Sequence, residues 1–251
     1  GLQIEPMPYD YYERFDFFGN RTAYFSIQQP HDQLCVTAHS EVDTCATIPA
    51  EAAGGLSWEM ARESLRNVSS AEILNASQFV LDSPTVVVND LILNYALPSF
   101  TPGRPLIDAV HDLMQRIFHE FNYDPEFSTI ATPLKDVLEH RSGVCQDFAH
   151  LAIGCLRAMG LAARYVSGYI ETEPPPGEER LVGADASHAW FSAYLPEHGW
   201  LDFDPTNNQL PGDRHITVAW GRDFADVTPL KGVAFGSGEH ELKVAVDVQA
   251  L

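Results

Sequence analysis

The sequence predicts an α+β fold in which a buried helix packs against an antiparallel sheet. Residues 145–161 carry apolar side chains at three- and four-residue steps, which is the spacing of one helical face. Residues 188–206 instead alternate between two sides around a Pro-Glu-His-Gly turn, a pattern typical of two antiparallel strands. With 251 residues and 45% apolar content, the chain can bury a sizeable core.

Composition excludes several classes of function. The net charge of -20, from 35 acidic against 15 basic residues, would repel a phosphate backbone and argues against nucleic-acid binding. No run of about 18 apolar residues is present, so we expect no membrane span. The four cysteines lack close metal-type spacings, which favours reduced thiols and a cytoplasmic protein.

The first part of the chain is predicted to be a partial β-rich domain, residues 1–55. It carries a turn at Asp16–Asn20 and strand patterns over residues 21–28 and 33–47. One or two hairpins cannot stand alone, so they need partners from the rest of the chain or from strands missing at the N-terminus. A change of composition at residues 49–55 marks the predicted boundary.

Residues 56–251 are predicted to hold a helical connection and a catalytic core. Helix patterns cover residues 57–66, 70–81, 106–121 and 132–139, with Ser57 and Thr132 as N-caps, whereas residues 90–95 fit a helix or a strand. His111 and His119 lie two turns apart on the third helix, and we interpret them as a solvated face rather than metal ligands. Strands are predicted at residues 163–171, 215–220 and 242–248, and the loop 173–187 is a candidate lid.

Cys145 occupies a special position in the central helix. Ser142 and Gly143 are predicted as N-cap and tight entry, and Gly160 as the end, which places Cys145 in the first turn. The positive end of the helix dipole favours a thiolate there. Cys155 sits mid-helix and lacks that field.

A reactive thiol needs a base, and an imidazole in turn needs a carboxylate to orient it. His188 begins the first strand of the predicted hairpin, and the second strand ends at Asp204. Pairing therefore brings His188 near Asp204, or near Asp202 if the register differs by a bulge.

The motifs Gly143-Val-Cys-Gln-Asp-Phe-Ala-His150, Arg164-Tyr-Val-Ser-Gly-Tyr169, His188-Ala-Trp190 and Gly199-Trp200 with Asp204-Pro-Thr206 resemble the transglutaminase-like cysteine peptidase superfamily, in its bacterial branch. The N-terminal region resembles that of the same branch through residues 16–20 and 29–34, although the opening strands of that region are expected to be missing.

The resemblance implies a papain-like core with Cys145, His188 and Asp204 as the catalytic triad, and it prefers Asp204 over Asp202. The backbone N–H of Cys145 is the natural oxyanion donor, and Tyr123 is the expected second donor because similar proteins place one before the catalytic helix. Asp147 is expected to be a favourable charge on the helix dipole or to shape the site beside the thiol. No cofactor, metal or calcium loop is expected.

This family implies acyl transfer from a peptide or protein amide through a Cys145 thioester. Water as acceptor gives a peptidase or amidase, which we favour. A primary amine gives a transglutaminase, which would need an apolar channel on the His188 side, with Trp190 as a possible wall. A non-catalytic scaffold is the third alternative, and the intact Cys, His and Asp argue against it.

Overall fold

The computed structural model describes residues 1–44, 55–129, 132–171, 186–196, 198–236 and 241–249. The chain divides into two compact units, Gly1–Cys45 and Ala46–Leu251. The predicted boundary between residues 55 and 56 adjoins the undescribed residues 45–54, and it stays a prediction. The candidate lid also lies outside the described residues, except for its last two positions, which belong to a strand.

The first unit is made of two antiparallel strand pairs, as its sequence predicts. Its strands are β1 (Leu2–Glu5), β2 (Asp10–Phe15), β3 (Arg21–Ser26) and β4 (Cys35–Ala38). β2 pairs with β3, and β1 pairs with β4. The Asp16 carboxylate accepts the backbone N–H groups of Phe18 and Asn20, each at 2.8 Å, and so closes the predicted turn between β2 and β3.

Six α-helices are described in the second unit. They are α1 (Trp58–Arg66), α2 (Ala71–Ser77), α3 (Asp90–Ala96), α4 (Leu106–Glu120), α5 (Leu134–His140) and α6 (Cys145–Ala158). Ser57 caps α1 as predicted, by accepting the Met60 N–H. The ambiguous residues 90–95 are helical because the Asn89 side chain caps that turn. Thr132 is not the cap of α5, since Pro133 flanks the helix and no side chain caps it.

The main sheet has four antiparallel strands in the order β10-β7-β8-β9. These are β7 (Ala163–Ile170), β8 (Ala186–Leu195), β9 (Gly199–Phe203) and β10 (His215–Gly221). A separate parallel pair joins β5 (Asn122–Tyr123) to β6 (Ser142–Gly143).

The strand predicted at residues 242–248 is wrong, because residues 241–249 form no strand. Leu242 and Val244 are 79% and 69% exposed, so the alternation of this segment has no buried face to pack. A period of two favours a strand only where a sheet edge and a core accept it.

Helix α6 is the centre of the core. Every residue from Asp147 to Arg157 is buried, because α3, α4 and α5 pack against one side of the helix and β7 and β8 against the other. The sequence predicts one buried face for this helix, whereas the structure buries residues on all of its faces. Beyond the far end the chain turns at Gly160, whose φ of 77° confirms the predicted stop.

The buried Arg157 fixes the far end of α6. Its guanidinium donates to the backbone carbonyls of Phe79 (3.0 Å), Ala163 (3.2 Å) and Arg222 (2.6 Å) and to the hydroxyl of Ser83 (2.9 Å). A buried guanidinium is stable only when its donors are satisfied in this way. None of the helices in the described part of the chain is long and apolar enough to cross a bilayer.

Candidate active site

The start of α6 is held by a carboxylate from inside the helix. The N-cap residue is Val144, whose side chain has no hydrogen-bond acceptor. The prediction that Ser142 is the N-cap is therefore wrong, since Ser142 lies in β6 and pairs with Asn122. The Asp147 carboxylate instead accepts the Val144 N–H at 2.8 Å, which is the returning half of a capping box. Cys145 is consequently the first residue of the helix, within the first turn that the sequence predicts for it.

Gly143 makes room for that carboxylate. A Cβ at residue 143 would lie 2.8 Å from Asp147 Oδ2 and 2.9 Å from its Cβ, closer than real Cβ contacts. Asp147 is only 2% exposed, and burial raises the pKa of its carboxyl group. Its contact with the Val144 N–H holds the turn that carries Cys145, and its expected role at the site stays a prediction.

The sheet places His188 beside Asp204. His188 lies near the start of β8, Asp204 follows the last residue of β9, and Nε2 of the imidazole is 2.8 Å from Asp204 Oδ2. Asp202 is engaged elsewhere, since it pairs with Ser192 in the ladder and accepts the indole N–H of Trp190 at 3.0 Å. Of the two alternatives left open by the strand pattern, the structure brings Asp204 to His188.

The protonated form of the His188 ring is stabilised. Burial opposes the charge, but the hydrogen bonds to Asp204 and to the Cys145 thiol, together with the charges of both groups, outweigh it and raise the pKa of His188 to about 9. Because Nε2 faces Asp204, Nδ1 is the ring nitrogen left for Cys145. The imidazolium therefore lies between a carboxylate and a thiol at a helix start.

Asp204 is fully buried, and donors surround both of its oxygens. Oδ1 accepts the backbone N–H groups of Thr206 (2.9 Å) and Asn207 (3.3 Å). Oδ2 accepts His188, the Asn207 amide (2.8 Å) and Nε2 of His215 (3.1 Å). Burial works against ionisation, yet these bonds, led by those of His188 and His215, lower the pKa of Asp204.

His215 and Asn207 are the site residues that sequence reasoning missed. Asn207 follows the Asp-Pro-Thr motif directly, so its closeness to Asp204 could have been expected from a turn. His215 was predicted only as the start of a strand, and no local signal places it near Asp204. His188, Asp204 and His215 have ligand-type atoms within 4.8 Å of one another, but here those atoms are hydrogen-bonded together; the predicted lack of a metal stays a prediction.

Tyr123 lies on the thiol side of the site. Residue 123 pairs with Gly143, two residues before Cys145, in the parallel β5–β6 pair. Tyr123 is 58% exposed, and partial burial and then the charge of Cys145 raise the pKa of its hydroxyl group, so the hydroxyl keeps its proton at neutral pH.

Trp190 and His150 are core residues. Trp190 has no exposed surface, so it does not line an open channel, and the suggested wall for an amine acceptor is wrong. His150 is buried on α6, where Nε2 accepts the backbone N–H of Phe224 at 3.1 Å. Burial lowers the pKa of His150 to about 4, so its ring is neutral at neutral pH.

Comparisons with known proteins identify the family of the chain. Residues 98–205 match the transglutaminase-like superfamily, and residues 1–43 match the bacterial transglutaminase-like N-terminal region. An uncharacterised protein of Mycobacterium tuberculosis (strain ATCC 25618 / H37Rv) is 44% identical over 255 residues, which cover 98% of this chain and 80% of that protein.

Two further relatives carry names that refer to an activity. A protein-glutamine gamma-glutamyltransferase of Pseudomonas aeruginosa is 36% identical over 107 residues, covering 39% of this chain and 16% of its own. The crystal structure of a Cytophaga hutchinsonii protein, named a candidate cysteine protease, superposes with a TM-score of 0.63 at 21% identity, over 91% of this chain and 71% of that one. This last similarity shows a shared fold. From the two matched families and the relative that is 44% identical over 98% of this chain, we conclude that the chain belongs to the transglutaminase-like superfamily and carries the bacterial transglutaminase-like N-terminal region.

Proposed function

We propose that this protein is a thiol enzyme that transfers the acyl group of a peptide or protein amide, with Cys145 as nucleophile. The observation that carries the proposal is the His188 ring, whose Nε2 is bound to Asp204 while its cation is stabilised beside Cys145. An imidazolium next to a thiol at a helix start favours the thiolate, which is the reactive form of a cysteine. We assign Asp204 the role of orienting His188.

In the proposed reaction, the Cys145 thiolate attacks the amide carbonyl carbon and forms a C–S bond. His188 gives its proton to the leaving nitrogen as the C–N bond breaks, and a thioester is left on Cys145. Water then attacks the thioester carbonyl carbon while the neutral His188 takes a proton from the water. The C–S bond breaks, the carboxylic acid leaves, and the thiolate–imidazolium pair is restored.

Two groups are proposed to bind the oxyanion that forms on the carbonyl oxygen. The first is the backbone N–H of Cys145, which lies in the first turn of α6, where N–H groups have no partner within the helix. The second is the Tyr123 hydroxyl. Its proximity to the thiol and its protonated state at neutral pH support this role.

Water is the acceptor that we favour. A transglutaminase must hold a desolvated, neutral amine beside the thioester, and the residue suggested as the wall of an amine channel, Trp190, is buried in the core. The second candidate is transfer to an amine, which the similarity to the Pseudomonas aeruginosa gamma-glutamyltransferase supports over 107 residues. Both reactions share the thioester and differ only in deacylation.

The test offers a mixture of glutamine-containing peptides together with a millimolar primary-amine probe and follows the products by mass spectrometry. We expect Cys145-dependent hydrolysis or deamidation to exceed amine incorporation, and the Cys145→Ala protein is the control. Predominant amine adducts would show that the reaction is transglutamination rather than hydrolysis. No product from a broad peptide library would instead favour the scaffold alternative.

A further inference from the structure

We propose that His215 is a positioning residue of this site, which holds the Asp204 carboxylate in the orientation that binds His188. The inference deepens the proposed function and rests on it. His215 is buried, and its Nε2 lies 3.1 Å from Asp204 Oδ2, the oxygen that His188 also binds. One carboxylate oxygen is thus shared by two imidazole rings.

The contact from His215 differs from the other contacts of Asp204. Thr206 and Asn207 belong to the turn that follows Asp204, so they move with it when that turn shifts. His215 begins β10, at the opposite edge of the four-stranded sheet from β9. The His215–Asp204 bond therefore ties the end of β9 to β10, and it closes the segment of residues 204–215 that joins the two edge strands.

Trp190 holds both imidazole rings in place. Its ring centroid is 5.2 Å from that of His215, at an interplanar angle of 90°, and 5.9 Å from that of His188. The indole is fully buried and its N–H is fixed by Asp202. Because a buried ring whose N–H is fixed by a hydrogen bond has little freedom, the indole keeps the two histidines oriented towards Asp204.

The proposed mechanism requires a second donor to Asp204, and the His215 imidazole is that donor. His188 must be cationic when the leaving group departs and neutral when water attacks, so its attraction to Asp204 weakens in mid-cycle. A donor that never takes part in proton transfer keeps Oδ2 in place through both states. His215 provides such a donor, whereas the neutral His188 ring keeps its Nε2–H bond to Asp204 but no longer attracts the carboxylate by its charge.

The decisive variants are His215→Gln and His215→Phe. Glutamine can place an amide N–H near the position of Nε2, whereas phenylalanine keeps the ring volume without a donor. We expect His215→Phe to lower kcat by about tenfold to a hundredfold, as loss of outer hydrogen-bond partners does at other sites, with KM nearly unchanged. His215→Gln should restore most of kcat.

His150→Gln is the matched control, because it replaces a second buried histidine that bonds to the Phe224 N–H rather than to Asp204. We expect it to lower the melting temperature and leave kcat close to that of the natural protein. If His215→Phe does not fold, His215→Asn takes its place, since its shorter amide does not reach Asp204. Wild-type kcat in His215→Phe, or equal loss in the Gln variant, would overturn the proposal.

A readout without turnover separates this inference from the proposed function. In protein labelled with ¹⁵N-histidine, the His188 Nε2–H bonded to Asp204 should give a downfield proton signal, assigned by its loss in His188→Gln. We expect this signal to persist in His215→Gln and to broaden or vanish in His215→Phe. An unchanged signal in His215→Phe would refute the positioning role even if no substrate is ever turned over.

Discussion

Gly168 on β7 and Trp190 on β8 fit together because residue 168 has no side chain. A Cβ at this position would lie 2.4 Å from the indole ring and 2.3 Å from the Ile216 carbonyl oxygen. The glycine therefore lets the indole lie against the sheet, with its ring beside His188 and His215. The position of the indole, and with it the shape of the site, therefore depends on glycine at residue 168.

Replacing Gly168 by alanine should displace the indole and destabilise the fold. Overpacking of a core site costs about 1–3 kcal/mol, and here one clash involves backbone, which cannot rotate away. We expect a lower melting temperature in thermal denaturation and reduced turnover. Gly212→Ala is the control, because a Cβ there meets nothing within 4 Å. Equal melting temperatures for both variants would contradict the close fit.

Alanine substitution of Asp202, on β9, and of Asp204, just after β9, should lower the rate to different extents. Asp204→Ala removes the partner of His188, so we expect kcat to fall by roughly a thousandfold or more, as for other triads. Asp202→Ala removes the acceptor of the Trp190 N–H and a negative charge near the Arg164 guanidinium but leaves the partner of His188 in place, so it should cost much less rate. Steady-state kinetics on the two folded proteins decide the matter, and a larger loss for Asp202→Ala would reverse our assignment.

The two cysteines of α6 should react at different rates. Cys145 is partly exposed at the helix start, whereas Cys155 is fully buried and burial raises the pKa of its thiol. Iodoacetamide at mildly acidic pH should therefore label Cys145 first, as followed by peptide mass mapping. His188→Ala should slow this labelling without affecting Cys155. Equal rates for the two thiols would remove the argument for an activated nucleophile.

The activity should fall on the alkaline side as His188 loses its proton. Because the pKa of His188 is raised to about 9, the ring is protonated below that pH and cannot protonate a leaving group above it. We expect kcat/KM to decline as pH rises through about 9. In Asp204→Asn this limb should move to lower pH, since the charge that stabilises the cation is gone; an unmoved limb would assign it to another group.

Much of the site could be predicted because its signals are local. Cys145 at a helix start, His188 at a strand start and Asp204 before a proline each lie in a short pattern that fixes its own element. The strand pairing that joins His188 to Asp204 spans a single hairpin, so chain order alone brings them close.

The parts that could not be predicted depend on distant contacts. His215 reaches Asp204 only because the sheet order puts β10 beside β7, which no pattern around residue 215 reveals. Ser142 fits the usual preference for an N-cap, but the β5–β6 pair engages its backbone and leaves the capping to Asp147. The alternation at residues 242–248 likewise required a partner strand that the sequence cannot supply by itself.

Asp147 and Asp204 give the two sides of the site opposite responses to acid. Burial raises the pKa of Asp147, so protonation on acidification relieves the cost of its charge and strengthens the folded state until the unfolded value, about 3.9, is reached. The pKa of Asp204 is lowered, so its contribution is present above that value and is lost as pH falls further. As pH falls, protonation of Asp147 first raises the free energy of unfolding. Only at lower pH does protonation of Asp204 lower it and break the bond to His188, so Asp204 is the carboxylate through which acid inactivates the site.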